Sequence, residues 1–138
     1  MTRAISLRPE NPQDQEFLFA LYASTRDEEM KLVPWADSEK HAFLKMQFEL
    51  QSTHYHNHYS GASYQIILAD GKPIGRLYIY RAESQILVID IALLPQHRGA
   101  GIGRQLLEEV LAEGLAAKKT VAIHLTPPLW PSLLLMLT

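Results

Sequence analysis

The sequence predicts one α/β domain in which helices flank a mixed, mostly antiparallel sheet, with the element order β-α-α-β-β-β-α-β. The chain has 138 residues, of which 47% are hydrophobic, enough for one domain with its own core. Two β-rich runs flank Asp70-Gly71, a pair of residues typical of a hairpin turn. Near the C-terminal end, Gly101–Lys118 has the apolar spacing of an amphipathic helix, which indicates one crossover between neighbouring strands.

The first half of the chain predicts one strand and two helices. Arg3–Arg8 alternates apolar and polar residues as a strand does, and Asp14–Thr25 carries apolar residues at helical spacing. A second helix begins near Asp37 or Ser38, either of which can cap it. We expect His54–Gly61 to be a polar loop after this helix.

The second half predicts four strands around the long helix. The strands are expected at Ser63–Ala69, Ile74–Tyr80, Gln85–Leu94 and Thr120–Leu125. The third of them is almost entirely apolar and is therefore expected at the centre of the sheet. Pro95 ends it.

Composition excludes several classes of function. The net charge is −2, so no basic excess points to nucleic acid as a partner. There is no cysteine, which excludes disulfides and thiolate metal sites and fits a reducing compartment. The N-terminal residues lack the apolar core of a signal peptide, and no apolar run reaches the roughly 18 residues of a membrane span. We expect a cytoplasmic protein that binds neither membranes nor nucleic acid.

The segment from Ile89 to Arg104 carries the most chemical information, because a buried strand there leads through a glycine-rich loop into a helix. Glycines at 99, 101 and 103 remove side chains where a backbone must approach a ligand closely. The first N–H groups of a helix have no internal acceptors, and together with the helix dipole they suit a diphosphate. Arg98 beside the loop can add a charge-assisted contact.

Three phosphate-binding patterns compete for this segment. A Walker loop ends in Gly-Lys-Ser/Thr, whereas this loop ends in Gly103-Arg104-Gln105. A dinucleotide fingerprint G-x-G-x-x-G can start at Gly99 and Gly101, but Arg104 stands where the last glycine is needed. The third pattern, R-x-x-G-x-G, is met in full by Arg98, Gly101 and Gly103. Glycines that only form a tight turn remain the alternative without a ligand.

The R-x-x-G-x-G spacing resembles the acetyl-CoA motif of the GNAT superfamily of N-acetyltransferases. The preceding Ile-Ala-Leu-Leu-Pro, the following Leu106-Leu107 and the order of the strands are similar too. The resemblance covers about residues 3–125 and is most specific at 88–111. It implies a GNAT-like fold, acetyl-CoA as cosubstrate, no metal, and acetyl transfer to a primary amine of a small molecule or peptide.

The resemblance also implies where the coenzyme lies. In this family the fourth strand splays from the fifth, and the pantetheine arm follows the backbone that this leaves unpaired. Here that backbone belongs to Ile91, Ala92 and Leu93, and the N–H of Leu93 would polarise the thioester carbonyl. The residues expected to bind acetyl-CoA are Ile91, Ala92, Leu93, Arg98, Gly99, Ala100, Gly101, Ile102, Gly103 and Arg104.

Asp90, a charge within the apolar central strand, is the candidate base, acting directly or through water. A structural hydrogen bond is the other explanation for a carboxylate at this position. Glu28 and Glu29 lie in the region that usually shapes the acceptor pocket, although a solvated run of charge also explains them. Members of the family attack the thioester directly, with which the lack of cysteine agrees.

Histidines and aromatic residues before the second strand offer a further candidate site. If the backbone there is extended, His54, His56 and His58 share one face and could hold a metal. A polar loop without metal is the simpler interpretation, and we assign no metal site. Aromatic residues that could instead line an acceptor pocket are Tyr55, Tyr59 and Tyr64. Trp35 could do the same, although burial in the core is the simpler explanation for it.

Residues 126–138 depart from the family pattern. The family continues after the fifth strand with a helix bearing Asn, then a Tyr that protonates the departing thiolate, and two more strands. Here the sequence after His124 contains three prolines and no Asn or Tyr. We therefore expect a GNAT-like domain at 1–125, C-terminally incomplete, and an atypical tail at 126–138 that a frameshift or truncation would produce.

Two consequences follow from an incomplete fold. An uncovered strand edge tends to pair with another chain, so we expect a homodimer. Without the leaving-group acid the chain could be a truncated, catalytically impaired CoA-binding domain, which is the alternative to an active enzyme. An interaction domain without any ligand is the third interpretation.

Overall fold

The computed structural model describes residues 3–124, which form five strands and four helices. The elements are β1 (Ile5–Pro9), α1 (Gln15–Thr25), α2 (Asp27–Met30), α3 (Asp37–His58), β2 (Ser63–Ala69), β3 (Lys72–Arg81), β4 (Gln85–Leu93), α4 (Ile102–Ala117) and β5 (Thr120–Ile123). Short 3-10 turns lie at Pro12–Asp14 and Pro95–His97. The predicted order of elements is confirmed, with the single-turn helix α2 added after α1.

The strands form one sheet in the order β1-β2-β3-β4-β5. The first four strands pair antiparallel in chain order, with α1, α2 and α3 between β1 and β2 and short turns joining β2, β3 and β4. The last strand, β5, pairs parallel to β4. A parallel pair needs a crossover, and α4 supplies it. The mixed, mostly antiparallel sheet expected from the sequence is therefore confirmed.

Helices cover both faces of the sheet. On one face α4 packs over a core that includes Ile67, Leu77, Ile79, Val88, Leu106 and Val110. On the other face α1 and α3 pack over a core that includes Leu18, Tyr22, Phe43, Phe48 and Ile66. Alternate residues of the central strands serve the two cores, as the side-chain period of two requires.

A β-bulge in β4 decides on which face Asp90 lies. Tyr78 pairs with Asp90 and Ile79 pairs with Val88, so Ile89 is an extra residue without a partner in β3. Val88 packs in the core under α4, whereas Ile89 packs against Tyr78 on the opposite face. Without the extra residue Asp90 would share the face of Val88 and bury a charge in an apolar core. The bulge thus turns the carboxylate toward α1 and α3.

The expected polar loop at His54–Gly61 is wrong, because α3 continues to His58. Phe48 and Tyr55 are seven residues apart on one face of this helix, and both are buried. Tyr55 therefore anchors the last turn of the helix. A prediction based on the polarity of this segment alone overlooks that contact. The predicted caps are also wrong: Ala36 precedes the helix, and Glu39 accepts a hydrogen bond from its backbone N–H at 3.2 Å.

Within residues 3–124, no helix combines the length and the apolar character needed to cross a bilayer. The tail predicted at 126–138, and with it the domain boundary at 125, lies outside the described residues.

Candidate functional site

The sheet opens where β4 and β5 part. The two strands pair from Gln85 with Thr120 to Val88 with Ile123, and the backbone N–H of His124 donates to the Val88 carbonyl at 2.8 Å. Beyond that point no residue of the described range 3–124 pairs with β4 on its β5 side. The last third of β4 therefore presents an unpaired backbone edge.

The register with β3 shows which peptide groups face this opening. The N–H of Leu94 donates to the carbonyl of Ile74 at 2.8 Å. Because successive residues of a strand point their N–H and C=O groups to opposite sides, those of Leu93 and Ile91 point away from β3. The groups of Ala92 point toward β3. Of the three backbone positions expected at the coenzyme, Ile91 and Leu93 thus face the opening. Neither is paired with another strand there, although the carbonyl of Leu93 accepts a hydrogen bond from Arg98 Nε at 2.9 Å.

Two neighbouring cavities lie along this edge. The outer cavity, of about 360 Å³, is lined by Thr25, Ile91, Ala92, Leu93, Arg98 and Gly99. The inner cavity, of about 250 Å³, is lined by Leu21, Tyr22, Thr25, Arg26, Gln51, Arg76, Asp90, Ile91 and Ala92. The cavities share Thr25, Ile91 and Ala92, so they form one groove along β4 between α1 and the glycine-rich loop.

The start of α4 beside the outer cavity has the features of an anion site. Gly101 is the cap residue, with φ 83° and no side chain to accept a hydrogen bond, and the first helical bond runs from the Gln105 N–H to its carbonyl at 2.9 Å. The N–H groups of residues 102–104 therefore have no acceptor within the helix. The first turn holds no acidic residue but does hold Arg104. This charge opposes the helix dipole, and an external anion would balance both.

The backbone conformation explains two of the three glycines at 99, 101 and 103 but not the third. Gly99 and Gly101 have φ of 76° and 83°, a conformation that favours glycine in any protein. Gly103 has an ordinary helical backbone, and a Cβ there would meet only the Cδ1 atom of Ile91, at 4.0 Å. The fold of the described residues does not require glycine at 103. The bare backbone at this position leaves space for a ligand over the first turn of α4.

Arg98 lies across the outer cavity. Its Nε donates to the carbonyl of Leu93 at 2.9 Å and its Nη2 donates to Ser24 Oγ at 3.3 Å. The side chain thus ties the loop to both β4 and α1. Two other residues expected at the coenzyme lie in the first turn of α4. Ile102 buries its side chain between this helix and the sheet and so offers only its backbone. Arg104 is exposed and pairs with Glu108 at 3.0 Å. Ala100 is exposed in the loop.

A polar network holds Asp90 at the inner cavity. Asp90 Oδ2 accepts hydrogen bonds from Arg76 Nη2 at 2.5 Å and from the Tyr55 hydroxyl at 3.2 Å. Arg76 also donates to Gln51 Oε1 at 2.9 Å. Burial by itself lowers the pKa of Arg76, but Asp90 together with the hydroxyls of Tyr78 and Tyr55 outweighs it, so the pKa of Arg76 is raised. Both contacts end on Oδ2, so no described residue uses Oδ1 of Asp90.

A second arginine, Arg26 in the turn between α1 and α2, lines the same cavity. Arg26 pairs with Glu29 at 3.1 Å, and its guanidinium carbon lies 5.5 Å from the centre of the Tyr22 ring. Burial raises the pKa of the Tyr22 hydroxyl, and the positive charge of Arg26 opposes this. Sequence reasoning missed Arg26 and Arg76. Arg76 could have been found from the sequence, because it is a charged residue within a predicted apolar strand. The next predicted strand along the chain carries the opposite charge, Asp90.

Three residues that the sequence suggested for the acceptor pocket do not line either cavity: Glu28, Trp35 and Tyr64. Glu28 is 91% exposed and pairs with Lys31, so it is not at the groove. Trp35 packs against Phe43 in the core under α1 and α3. Tyr64 donates its hydroxyl to the backbone carbonyls of Tyr55 and Tyr59 and so braces the end of α3.

The histidines near the end of α3, His54, His56 and His58, form no metal site. His54 stacks on His58 at 5.0 Å between ring centres, one helical turn apart, and His56 stacks on Tyr64 at 4.2 Å. Across residues 3–124 no three His, Cys, Asp or Glu side chains are grouped closely enough to hold a metal ion. The shared face assumed for the histidines required an extended backbone, whereas the segment is helical.

The sequence matches the family described as Acetyltransferase (GNAT) family over residues 17–128. This chain belongs to that family. The match covers most of the chain and includes β4, the glycine-rich loop and α4, which build the groove. The acetyltransferase family predicted from the R-x-x-G-x-G segment is thus confirmed. No curated protein sequence matches the chain significantly.

Solved structures share the fold at low sequence identity. A PaiA N-acetyltransferase from Thermoplasma acidophilum, in complex with coenzyme A, is 16% identical with a TM-score of 0.54, over 80% of this chain and 71% of its own. A GNAT family acetyltransferase from Brucella melitensis, in complex with acetyl-CoA, is 18% identical with a TM-score of 0.53, over 93% and 80%. A possible acetyltransferase from Clostridium difficile 630 is 10% identical with a TM-score of 0.58, over 88% and 80%.

Proposed function

We propose that this protein is an N-acetyltransferase that moves the acetyl group of acetyl-CoA to a primary amine by direct attack. The observation that carries this proposal is the start of α4, which has no capping side chain, no acidic residue in its first turn, and lies at the open edge of β4. That edge leads directly to a cavity with a buried carboxylate. Membership in the acetyltransferase family supports the same reaction class.

The groove offers binding groups for the diphosphate and for the pantetheine arm of acetyl-CoA. The N–H groups of residues 102–104, with Arg98 and Arg104 beside them, would bind the diphosphate. The peptide groups of Ile91 and Leu93 would pair with the amides of the pantetheine arm. Bound there, acetyl-CoA supplies the activated thioester. The Leu93 N–H points away from β3 into the opening, so it would act as an oxyanion-hole donor to the thioester carbonyl during attack.

Asp90 is the residue at the inner cavity that could accept a proton from the amine. Its Oδ2 is held by Arg76 and Tyr55, which fixes the orientation of the carboxylate. Its Oδ1 would accept a hydrogen bond from the incoming ammonium group and take the proton directly or through water. The neutral nitrogen would then bond to the acetyl carbon as the carbon–sulfur bond breaks. The second proton of the nitrogen would pass to the departing thiolate, directly or through water, so that the products are the neutral amide and the thiol of coenzyme A.

An assay of a mixed amine library tests this proposal. The wild-type protein should release thiol from acetyl-CoA and give products heavier by one acetyl group in mass spectrometry. Asp90→Asn should lower kcat by roughly 10²–10⁴-fold, the usual contribution of a general base, while acetyl-CoA still binds. Asp70→Asn, in the β2–β3 hairpin away from the groove, is the matched control and should keep full activity. Thermal unfolding verifies that both variants fold.

The second candidate is a CoA-binding domain with impaired turnover, which is the expectation attached to residues 126–138. Saturable binding of acetyl-CoA with no product from any amine would favour it. If acetyl-CoA neither binds nor raises the melting temperature, both candidates fail and an interaction domain takes their place.

A cytoplasmic homodimer is part of the proposal. The lack of cysteine supports the cytoplasmic location, and the position of β5 at the edge of the described sheet supports the dimer.

A further inference from the structure

Two buried guanidinium groups converge on the inner cavity. The side chains of Arg26 and Arg76 are 8% and 5% exposed, and both line it. The Nε atom of each is buried and has no hydrogen-bond partner among the described residues. Leaving donors of a charged group unsatisfied in the interior is costly. Because these two atoms have almost no accessible surface, a ligand in the cavity would bind the outer guanidinium N–H groups rather than Nε.

The lining of the cavity carries more positive than negative charge. Each arginine has one carboxylate partner, Asp90 for Arg76 and Glu29 for Arg26, at 2.5 and 3.1 Å. Only Asp90 belongs to the lining together with the two arginines. The lining therefore offers guanidinium groups to an anion, and Asp90 Oδ1 is an acceptor in the same lining. An anionic group and an amine on one small molecule would match this arrangement.

We propose that the acceptor is a small amine that bears a carboxylate, as an amino acid does. This inference rests on the proposed acetyl transfer and names its substrate class. The carboxylate would lie on Arg26 and Arg76, in the charge-assisted geometry that guanidinium groups favour. The amine would lie at Asp90, facing the outer cavity where the thioester is expected.

Other acceptor classes fit this cavity less well. A polyamine would add positive charge next to two buried guanidinium groups, which like-charge repulsion opposes. A peptide amino terminus has an amide where the free amino acid has its carboxylate, so the arginine donors would lack a charged partner. The cavity of about 250 Å³ also limits the acceptor to a small molecule.

Pairs of acceptors that differ only in charge test the inference. Glycine, alanine, serine and glutamate are each compared with the corresponding α-carboxamide, and spermidine represents the polyamines. We expect kcat/KM to be about 10–100-fold higher for the acids, the equivalent of losing one charged hydrogen bond. Arg26→Gln should abolish this preference mainly through KM, and Arg26→Lys should restore part of it. Arg81→Gln, which removes an ion pair with Glu113 away from both cavities, should leave the preference intact.

Binding of product analogues separates failure of the inference from failure of the activity. With coenzyme A present, N-acetylglycine and N-acetylglycinamide are titrated calorimetrically into wild type and Arg26→Gln. Tighter binding of the acid by wild type, lost in Arg26→Gln, supports the carboxylate site even if no turnover occurs. Equal rates for acids and amides, or equal binding of the two analogues, would show that Arg26 and Arg76 only brace the fold. Acetylation of the amides alone would overturn the inference and leave acetyl transfer standing.

Discussion

Replacing Gly103 by alanine should separate coenzyme binding from stability. A Cβ at Gly103 meets nothing closer than Ile91 Cδ1 at 4.0 Å, so the methyl group fits the fold. Alanine is favoured over glycine inside helices by roughly 0.5–1 kcal/mol, an upper limit for this second helical position. The free energy of unfolding should therefore stay the same or rise. The methyl group would occupy the space above the first turn of α4 that a diphosphate needs.

The expected loss of affinity follows from the contact that the methyl group blocks. A hydrogen bond to a charged group contributes about 1.5–3 kcal/mol, so displacing one should raise the Kd for acetyl-CoA about 10–150-fold. Calorimetric titration with acetyl-CoA measures the Kd, and urea unfolding measures the stability. An affinity equal to that of wild type would refute the assignment of the diphosphate to this helix start.

Gly114→Ala in the same helix is the matched control. A Cβ there would lie 2.5 Å from Val121 Cγ2 and 3.2 Å from the carbonyl of Lys119, so α4 would be pushed from β5. Overpacking of this kind costs about 1–3 kcal/mol. This variant should lose stability and keep its coenzyme affinity. The two alanine substitutions thus have opposite expected effects on the two measurements.

Three further predictions concern pH, the β3–β4 contact and assembly. Hydrogen bonds from Arg8 hold the pKa of Asp14 below its usual value, so this carboxylate stabilises the fold above a pH of about 4, and the contribution is lost as pH falls through the lowered pKa. Urea unfolding from pH 7 to about pH 2 should show a free energy of unfolding that falls with pH more steeply in wild type than in Asp14→Asn. Parallel curves for the two proteins would contradict this prediction. Gly75→Ala would place a Cβ 2.2 Å from the carbonyl oxygen of Ala92, so both the melting temperature and the affinity for acetyl-CoA should fall, and a loss of neither would contradict the close approach. Sedimentation at micromolar concentration should show a dimer that Ile123→Glu weakens, since Ile123 lies in the edge strand β5 and is 48% exposed. A wild-type monomer would overturn the expected assembly.

The features that the sequence predicts well are those coded by nearby residues. The hairpin at Asp70-Gly71 and the helix from Gly101 follow from turn chemistry and apolar spacing over a few residues. The R-x-x-G-x-G segment is local in the same sense, because Arg98 and the glycines lie within six residues of each other. A family assignment could therefore be made before any long-range contact was known.

The features that the sequence does not reveal depend on how distant segments pair. The contact between Arg76 and Asp90 requires the register of β3 with β4, and the bulge at Ile89 changes which face Asp90 occupies. Arg26 reaches the same cavity from the turn after α1, far away in the sequence. The proposed acceptor pocket therefore emerges only from the folded sheet, whereas the proposed diphosphate site lies within one segment of the sequence.

The end of α3 was misassigned for a related reason. Polar residues dominate its last turn, and polarity is typical of a loop. Tyr55 anchors that turn to the sheet through packing against Tyr78 and a hydrogen bond to Asp90. A tertiary contact thus overrides the local composition, and it also places the Tyr55 hydroxyl in the network around the candidate base.

The account depends most on the backbone N–H groups at residues 102–104 as the binding site of a coenzyme diphosphate. Amide NMR spectra of the ¹⁵N-labelled protein, recorded during titration with coenzyme A and separately with pantetheine, measure this directly. Coenzyme A should shift the amide signals of these three residues, whereas pantetheine, which has no diphosphate, should leave them in place and shift those of Ile91 and Leu93. Unchanged signals at 102–104 with saturating coenzyme A would contradict the account.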